Sequence, residues 1–302
     1  MNNTINPPVE NFPDNDNLIE KYDKNLDQLT FVAFDLETTG LFPVTSEIIE
    51  IGAIKFSFNG EEISRHETLV KPNNPVSHES FLIHNITDDM LKNQPDIKEV
   101  LKPFLNFIKD SVLVAHNSMF DMSFISYAML QDKIEFPDNI ALDTRILGRN
   151  LVPEAGNYKL SSLTDYFNII HSTFHRAIYD AEYCMKVFLA VTNKFFTSQS
   201  LLSEVVKYNK TIDFSVISNT HNLEDIPDLY EPLKDAVTNS KKISIIYKRH
   251  NGEILEREIT PFGFLRVKNK FYVEAFCHLR GEKRNFKLTK ILNINNIDLK
   301  AG

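Results

Sequence analysis

Residues 31–40 read Phe-Val-Ala-Phe-Asp-Leu-Glu-Thr-Thr-Gly. The apolar start suits a strand buried on both faces. Side chains alternate along a strand, so Asp35 and Glu37 leave the same side near its C-terminal end. Two carboxylates that close repel each other unless a cation lies between them. Hard oxygen ligands suit Mg²⁺ or Mn²⁺, whereas zinc favours His and Cys. Alone, Asp-x-Glu is a frequent pattern at exposed strand ends. Here it closes an apolar run and leads into Thr38-Thr39-Gly40, a tight turn able to offer backbone N–H groups to a ligand.

Outward from this strand, alternation predicts two more over 48–58 and 62–70, joined at Asn59-Gly60, a favoured hairpin pair. Helices are predicted over 87–92 and 96–109; in the second, Ile97, Val100, Leu101, Phe104, Leu105 and Ile108 recur at helical spacing. A strand over 111–116, a helix over 120–130, a short strand over 140–143 and helices over 160–167 and 176–195 complete the pattern. Strands followed by alternating helices and strands indicate an α/β domain with a mixed sheet. Two more polar clusters interrupt it. Val114-Ala115-His116-Asn117-Ser118-Met119-Phe120-Asp121 carries an acid into the start of a helix, and Phe174-His175-Arg176-Ala177-Ile178-Tyr179-Asp180 sets a His before the long helix and an acid in its early turns. Each has an ordinary explanation alone, since an acid in a first turn complements the helix dipole and a lone His is commonly structural.

Together these residues resemble the DEDDh 3′-to-5′ exonucleases, a ribonuclease H-like family that includes the proofreading domains of bacterial replicative DNA polymerases. The resemblance covers residues 29–196 and is carried, in order, by FVAFDLETTGL, EIIEIGAIK, HNITDDML, VAHNSMFDMSFI, LDTRILGRNL and HRAIYDAEY. It implies a mixed five-stranded sheet flanked by helices and an active site of Asp35, Glu37, Asp121, His175 and Asp180. The family's chemistry is hydrolysis of the 3′-terminal phosphodiester to release nucleoside 5′-monophosphates. Two metals about 3.5–4 Å apart can activate water and stabilise the leaving oxygen. By the resemblance, Asp35, Glu37, Asp121 and Asp180 hold two Mg²⁺ or Mn²⁺ ions, with Asp35 touching both. His175 orients or deprotonates the water, a role that an ordinary imidazole pKa of about 6.5 permits near neutrality. Thr38, Gly40 and Leu41 become contacts to the terminal nucleotide. Asn117 and Phe120 line the same pocket, although Phe120 suits the core equally well. Capping and loop packing account for His84, Asp88 and Asp89. His171 lies nine residues before Asp180 rather than five and is left structural, as is Cys184.

Beyond residue 232 the pattern changes to short strands, predicted over 242–249, 253–260, 271–277 and 285–289. This stretch resembles a WYL domain, a small SH3- or Sm-like β-barrel, through Ile245-Ile246-Tyr247, Pro261, Phe271-Tyr272-Val273, Arg284-Asn285-Phe286-Lys287-Leu288 and Lys290-Ile291. Phe and Val replace the Trp and Leu of the name, and Lys stands at 287 and 290 where Arg is usual. The resemblance implies binding of nucleic acid or nucleotide-like ligands. The candidates are Arg266, Lys268, Lys270, Arg280, Lys283, Arg284 and Lys287, interleaved with Phe271, Tyr272 and Phe286 for stacking. The domain plan is then a disordered Asn-, Asp- and Pro-rich extension (1–28), the exonuclease-like domain (29–196), a linker (197–232) and the WYL-like domain (233–298).

Charge is divided in the same way. The 302-residue chain carries −8 overall, yet residues 231–302 hold 15 Lys and Arg against 8 Asp and Glu. An acidic body is joined to a basic tail, an arrangement that a polyanionic partner explains and that solvated faces could also produce. No apolar run approaches the 18–20 residues of a membrane span. The N-terminus lacks the basic start and apolar core of a secretory signal, and with only Cys184 and Cys277 a reducing cytoplasm is expected. The partner expected is a nucleic acid with a free 3′ end, single-stranded DNA being favoured, alongside a replication or repair protein. DNA and RNA are not distinguished by these motifs. Two other readings are a non-catalytic nucleic-acid sensor and a hydrolase of small nucleotides or short oligoribonucleotides. The intact set of five residues speaks against the first, and a dedicated strand-binding domain against the second.

Overall fold

The computed structural model describes residues 16–43, 46–171, 174–209, 211–219, 223, 226–249, 252–267 and 270–296. Among the described residues the chain divides into two compact units, the first of 16–41 and 46–215 and the second of 216–296 with the short stretch 42–43.

The first unit is built on strands β1 (Thr30–Thr38), β2 (Ile48–Ser57), β3 (Glu62–Leu69), β4 (Val112–Ala115), β5 (Ile140–Asp143) and β6 (Ile212–Asp213). Their order in the sheet is β3-β2-β1-β4-β5-β6, with β1, β4 and β5 parallel and the rest antiparallel. This is the expected mixed sheet with one strand more than the five expected. The addition is Ile212–Asp213, which pairs with Ile140 and Ala141 from within the supposed linker and is too short to show alternation. Nine helices accompany the described sheet: α1 (Asp16–Tyr22), α2 (His78–His84), α3 (Asp88–Leu91), α4 (Ile97–Ile108), α5 (Met119–Gln131), α6 (Thr144–Leu151), α7 (Leu160–Tyr166), α8 (Ala177–Asn193) and α9 (Leu202–Val206).

Phe31, Val32, Ala33 and Phe34 are all buried, as an apolar run in a central strand requires. Phe31 packs against Phe56 of β2 and Phe188 of α8, with ring centroids 5.6 and 5.3 Å apart. The helix lies so close to the sheet because Gly52 faces its first turn. A Cβ there would overlap the carbonyl carbon of Ala177 and the amide nitrogen of Ile178. Asp96 and Glu99 form a reciprocal capping box that starts α4.

The extension expected over 1–28 is, in its described part, built into this unit. Tyr22 and Leu26 are buried in the main core. Leu26 N–H donates to Ser200 O at 2.9 Å, Asp27 N–H to Ser198 O at 3.0 Å, and Leu202 N–H to Lys24 O at 3.1 Å. Two apolar anchors in a polar context are enough to fix a segment, and composition averages them away. The linker expected over 197–232 is likewise divided: α9 and β6 belong to the first unit, and the segment after 215 to the second.

The second unit contains β7 (Ile217–Asn219), α10 (Glu231–Thr238), β8 (Ile243–Lys248), β9 (Ile254–Val267), β10 (Lys270–Cys277), β11 (Glu282–Lys287) and β12 (Ile291–Asn296). The strands pair antiparallel in the order β11-β10-β9-β8-β12, with β7 on β9. Leu233, Ile243, Ile245, Ile259, Val273 and Ala275 form its core. The expected antiparallel sheet is present, but it is not closed into a barrel among the described residues. A 3-10 turn, Leu288–Lys290, delivers β12 to β8 at the end of the sheet opposite β11. Cys184 and Cys277 are buried and unpaired, one in each unit. No helix among the described residues is long and apolar enough to cross a membrane.

Candidate active site

Pairing of β1 with β4 stops at Ala33–Val114, leaving the rest of that strand edge open. The next turn of chain fills it: Leu36 N–H donates to Asp121 Oδ1 at 3.1 Å, tying the first turn of α5 to the strand between Asp35 and Glu37. Asp143 fixes the turn ahead of α5. Its carboxylate accepts from the N–H groups of Asn117 (3.2 Å) and Ser118 (3.0 Å) while capping α6 through Arg145 (2.9 Å) and Ile146 (3.3 Å). Asn117 takes φ +66°, a left-handed conformation that Asn tolerates better than most residues.

The third acid comes from α8. Asp180 Oδ2 accepts the N–H of His175 at 2.8 Å, and Oδ1 is buried with no hydrogen-bond partner. His175 is exposed and held at φ +64°. The residue after it explains how. Arg176 forks onto Glu50, with Nε 3.0 and 3.2 Å from the two carboxylate oxygens and Nη2 2.6 Å from one of them. Glu50 also accepts the N–H of Ala177 at 2.9 Å. Glu50 is fully buried on β2 and is the register partner of Glu37. Strand β2 therefore places the start of α8 against β1 in two ways, by the Glu50 clamp and by the missing side chain at Gly52, the partner of Asp35.

The result is a cluster of acids. Glu37, His175 and Asp180 offer ligand atoms within 4.8 Å of one another. Burial and then the charge of Asp121, followed by Asp180 and Glu37, hold the Asp35 carboxyl well above the ordinary carboxylate range. Burial raises Asp121 likewise. Glu37 is pushed up to about 8 by burial and then by Asp180 and Glu50, and Asp180 to about 6 by burial. Acids at this proton affinity are short of positive charge. His116 stands apart from the cluster: burial pushes it down to about 4, and its Nδ1 lies 2.9 Å from Thr144 Oγ1.

The five residues expected to carry the chemistry are thus brought together. Of the expected nucleotide contacts, Thr38 is buried and donates its hydroxyl to Gly40 O at 2.7 Å, shaping the turn. Leu41 is 72% exposed beyond it. Asn117 is exposed, and Phe120 is partly buried with its ring 4.9 Å from that of Phe124. Sequence reasoning passed over Glu50, Gly52, Asp143 and Arg176, although signals were there: a Gly inside a strand marks close approach, and an Asp before a helix marks a cap. His84 is buried, its Nδ1 accepting the N–H of Ile86 at 3.0 Å, as loop packing predicts.

In the second unit Arg266, Lys270, Arg280 and Lys283 are exposed, Arg284 and Lys287 are partly buried, and Lys268 lies outside the described residues. Of the aromatics expected between them, Phe286 is buried, with its ring edge-on to Tyr247 at 5.1 Å, whereas Phe271 and Tyr272 are partly exposed. Arg257, not singled out from sequence, is only 7% exposed and its Nη1 has no acceptor.

The family model described as Exonuclease matches residues 32–188, just over half of the chain. The chain belongs to this exonuclease family. A second model, described as WYL domain, matches residues 228–295. The exonuclease unit is similar to DNA polymerase III PolC-type of Halalkalibacterium halodurans, 45% identical over 152 residues, or 50% of this chain and 10% of that protein. PolC-type polymerase of Thermotoga maritima is 33% identical over 239 residues, covering 77% of this chain and 17% of the polymerase. The match therefore spans only a small fraction of those relatives' length. Among solved structures, the nuclease domain of 3′hExo, a DEDDh family member bound to rAMP, aligns at TM-score 0.51 and 18% identity, covering 59% of this chain and 98% of that one. E. coli Exonuclease I in complex with a dA16 oligonucleotide aligns at 0.51 and 16%, covering 82% and 55%. At such identities these two likenesses show the fold of the DEDDh exonucleases.

Proposed function

We propose that the first unit is a divalent-metal-dependent 3′-to-5′ exonuclease acting on nucleic-acid ends, and that Asp35, Glu37, Asp121, His175 and Asp180 carry its chemistry. The observation that carries this reading is the group of four mutually opposed carboxylates, with Asp180 Oδ1 buried and without a partner. A hard dication would fit that donor set, offsetting the burial and mutual charge that raise the acids, with Asp180 Oδ1 free to hold it. Asp35, Glu37, Asp121 and Asp180 are the ligands. When bound, two Mg²⁺ or Mn²⁺ ions supply an activated water and charge neutralisation at the phosphodiester.

The chain's own residues do the rest. His175, exposed beside Glu37 and Asp180, accepts the proton of the attacking water on an imidazole nitrogen. Its left-handed backbone, locked by Asp180 in front and by Arg176 on Glu50 behind, sets the ring over the acids. Thr38, Gly40 and Leu41 contact the terminal nucleotide, and Asn117 and Phe120 line the same pocket. PolC-type relatives support a DNA 3′ end and a replication or repair setting. The basic second unit, a WYL-like module of SH3/Sm-like lineage, retains the strand; its buried Arg257, with Nη1 lacking an acceptor, supports an anionic ligand.

The test uses 5′-labelled single-stranded DNA and RNA of equal sequence with Mg²⁺, Mn²⁺ or EDTA, beside Asp35→Ala. A ladder shortening from the 3′ end, absent with EDTA and in the variant, is expected. Intact strands with folded wild-type protein, binding retained, would sink the reading and favour a sensor.

A further inference from the structure

On the side of the second sheet opposite its core, the side chains of three adjacent strands converge. Phe276 of β10 is flanked in register by Thr260 of β9 and Lys283 of β11. Its neighbours along β10, Ala275 and Cys277, are buried in the core, so Phe276 points away from it. Phe262 is 48% exposed and Phe276 38%. Lys283 reaches across to set its ammonium 5.4 Å from the centre of the Phe262 ring. His278 meets Phe276 edge-on at 5.3 Å and is steadied by Thr260 Oγ1, 2.9 Å from its Nε2. Lys283 has no carboxylate within ion-pair distance among the described residues.

We infer that this face, centred on Phe262 and Phe276, is a stacking platform for unpaired bases of a single-stranded nucleic acid. Phe262 and Phe276 take the bases, and Lys283 and His278 the backbone. The charge on the face selects the occupant. Lysine is depleted from protein interfaces, where burying an unpaired ammonium is costly. A strand of bases and phosphates uses both the rings and the cation. Stacked duplex bases offer no free ring face, so the platform fits a single strand. The proposal rests on reading the second unit as nucleic-acid-binding.

Fluorescence anisotropy of a 5′-fluorescein oligothymidylate, titrated with full chain in EDTA so that the strand stays intact, tests it. Phe262→Ala/Phe276→Ala, with folding verified by its melting curve, should bind about tenfold more weakly or worse. Lys283→Gln should lower the salt slope by about 0.7. A folded double variant with wild-type affinity overturns the platform. If Lys270→Gln/Arg280→Gln alone weakens binding, strand binding by the second unit stands and this face falls. If neither pair weakens it, both readings fall. A change in sedimentation with affinity unchanged would assign the face to contact between copies and also overturn the proposal.

Discussion

Glu37 shows how one side chain reports on the whole cluster. Its folded-state proton affinity is raised from 4.5 to about 8, so between those values the folded chain binds more protons than the unfolded one, and stability falls as pH rises. Asp180, raised to about 6, adds to the loss over the lower part of that window. Without divalent ions, the Tm should therefore drop from pH 5 to pH 8, reflecting on the order of a few kcal/mol. Mn²⁺ should restore it, most strongly at the alkaline end. Glu37→Gln, neutral at every pH, should flatten the profile and blunt the Mn²⁺ response in thermal melts; a Tm that rises with pH in the wild-type apo protein would contradict the raised affinity. At this scale the sequence was highly legible. Asp35 and Glu37 announced themselves by spacing, and Asp121, His175 and Asp180 by the blocks around them. The residues that hold them were less visible, because Glu50 reads as one more strand charge until Arg176, far along the chain, closes on it.

The elements meet where β2 passes under the start of α8. Gly52 is the point of contact, and neighbouring backbone, unlike a side chain, cannot rotate away from an added methyl. Gly52→Ala should cost about 3 kcal/mol or more in denaturant unfolding. Activity should fall by about a hundredfold or more even below the unfolding transition, since a 1 Å displacement of reacting groups is enough for that. A variant with normal stability and turnover would show that α8 need not sit so close. Periodicity located α4 and α8 by an apolar stripe and α5 by a long apolar run. It passed over α6, whose start is set by the side chain of Asp143. It also passed over β6, two residues that become a strand only because β5 offers an edge. Such elements are written in tertiary contacts.

For the molecule as a whole, the lesson concerns the ends of the first unit. Leu26, fully buried in the main core, comes from a stretch that composition assigns to disorder. Leu26→Ala should destabilise the first unit by about 2–5 kcal/mol, and calorimetry of the full chain should show that unit's transition moving to lower temperature. An unchanged melting profile would return that segment to the status of an appendage. A chain trimmed to begin at residue 29, where the exonuclease-like motifs start, should suffer the same loss. Two-unit organisation was legible from the change in pattern and charge, whereas the boundary near 215 was not, since chain pairing rather than composition places it. The two buried cysteines have a practical corollary. Burial pushes the Cys184 thiol up and keeps it protonated, and Cys277 is sealed in the other core. The native surface thus presents no thiol to maleimide chemistry, and one cysteine introduced at an exposed position of either unit accepts a fluorophore or spin label site-specifically, with no native sulfur to remove first.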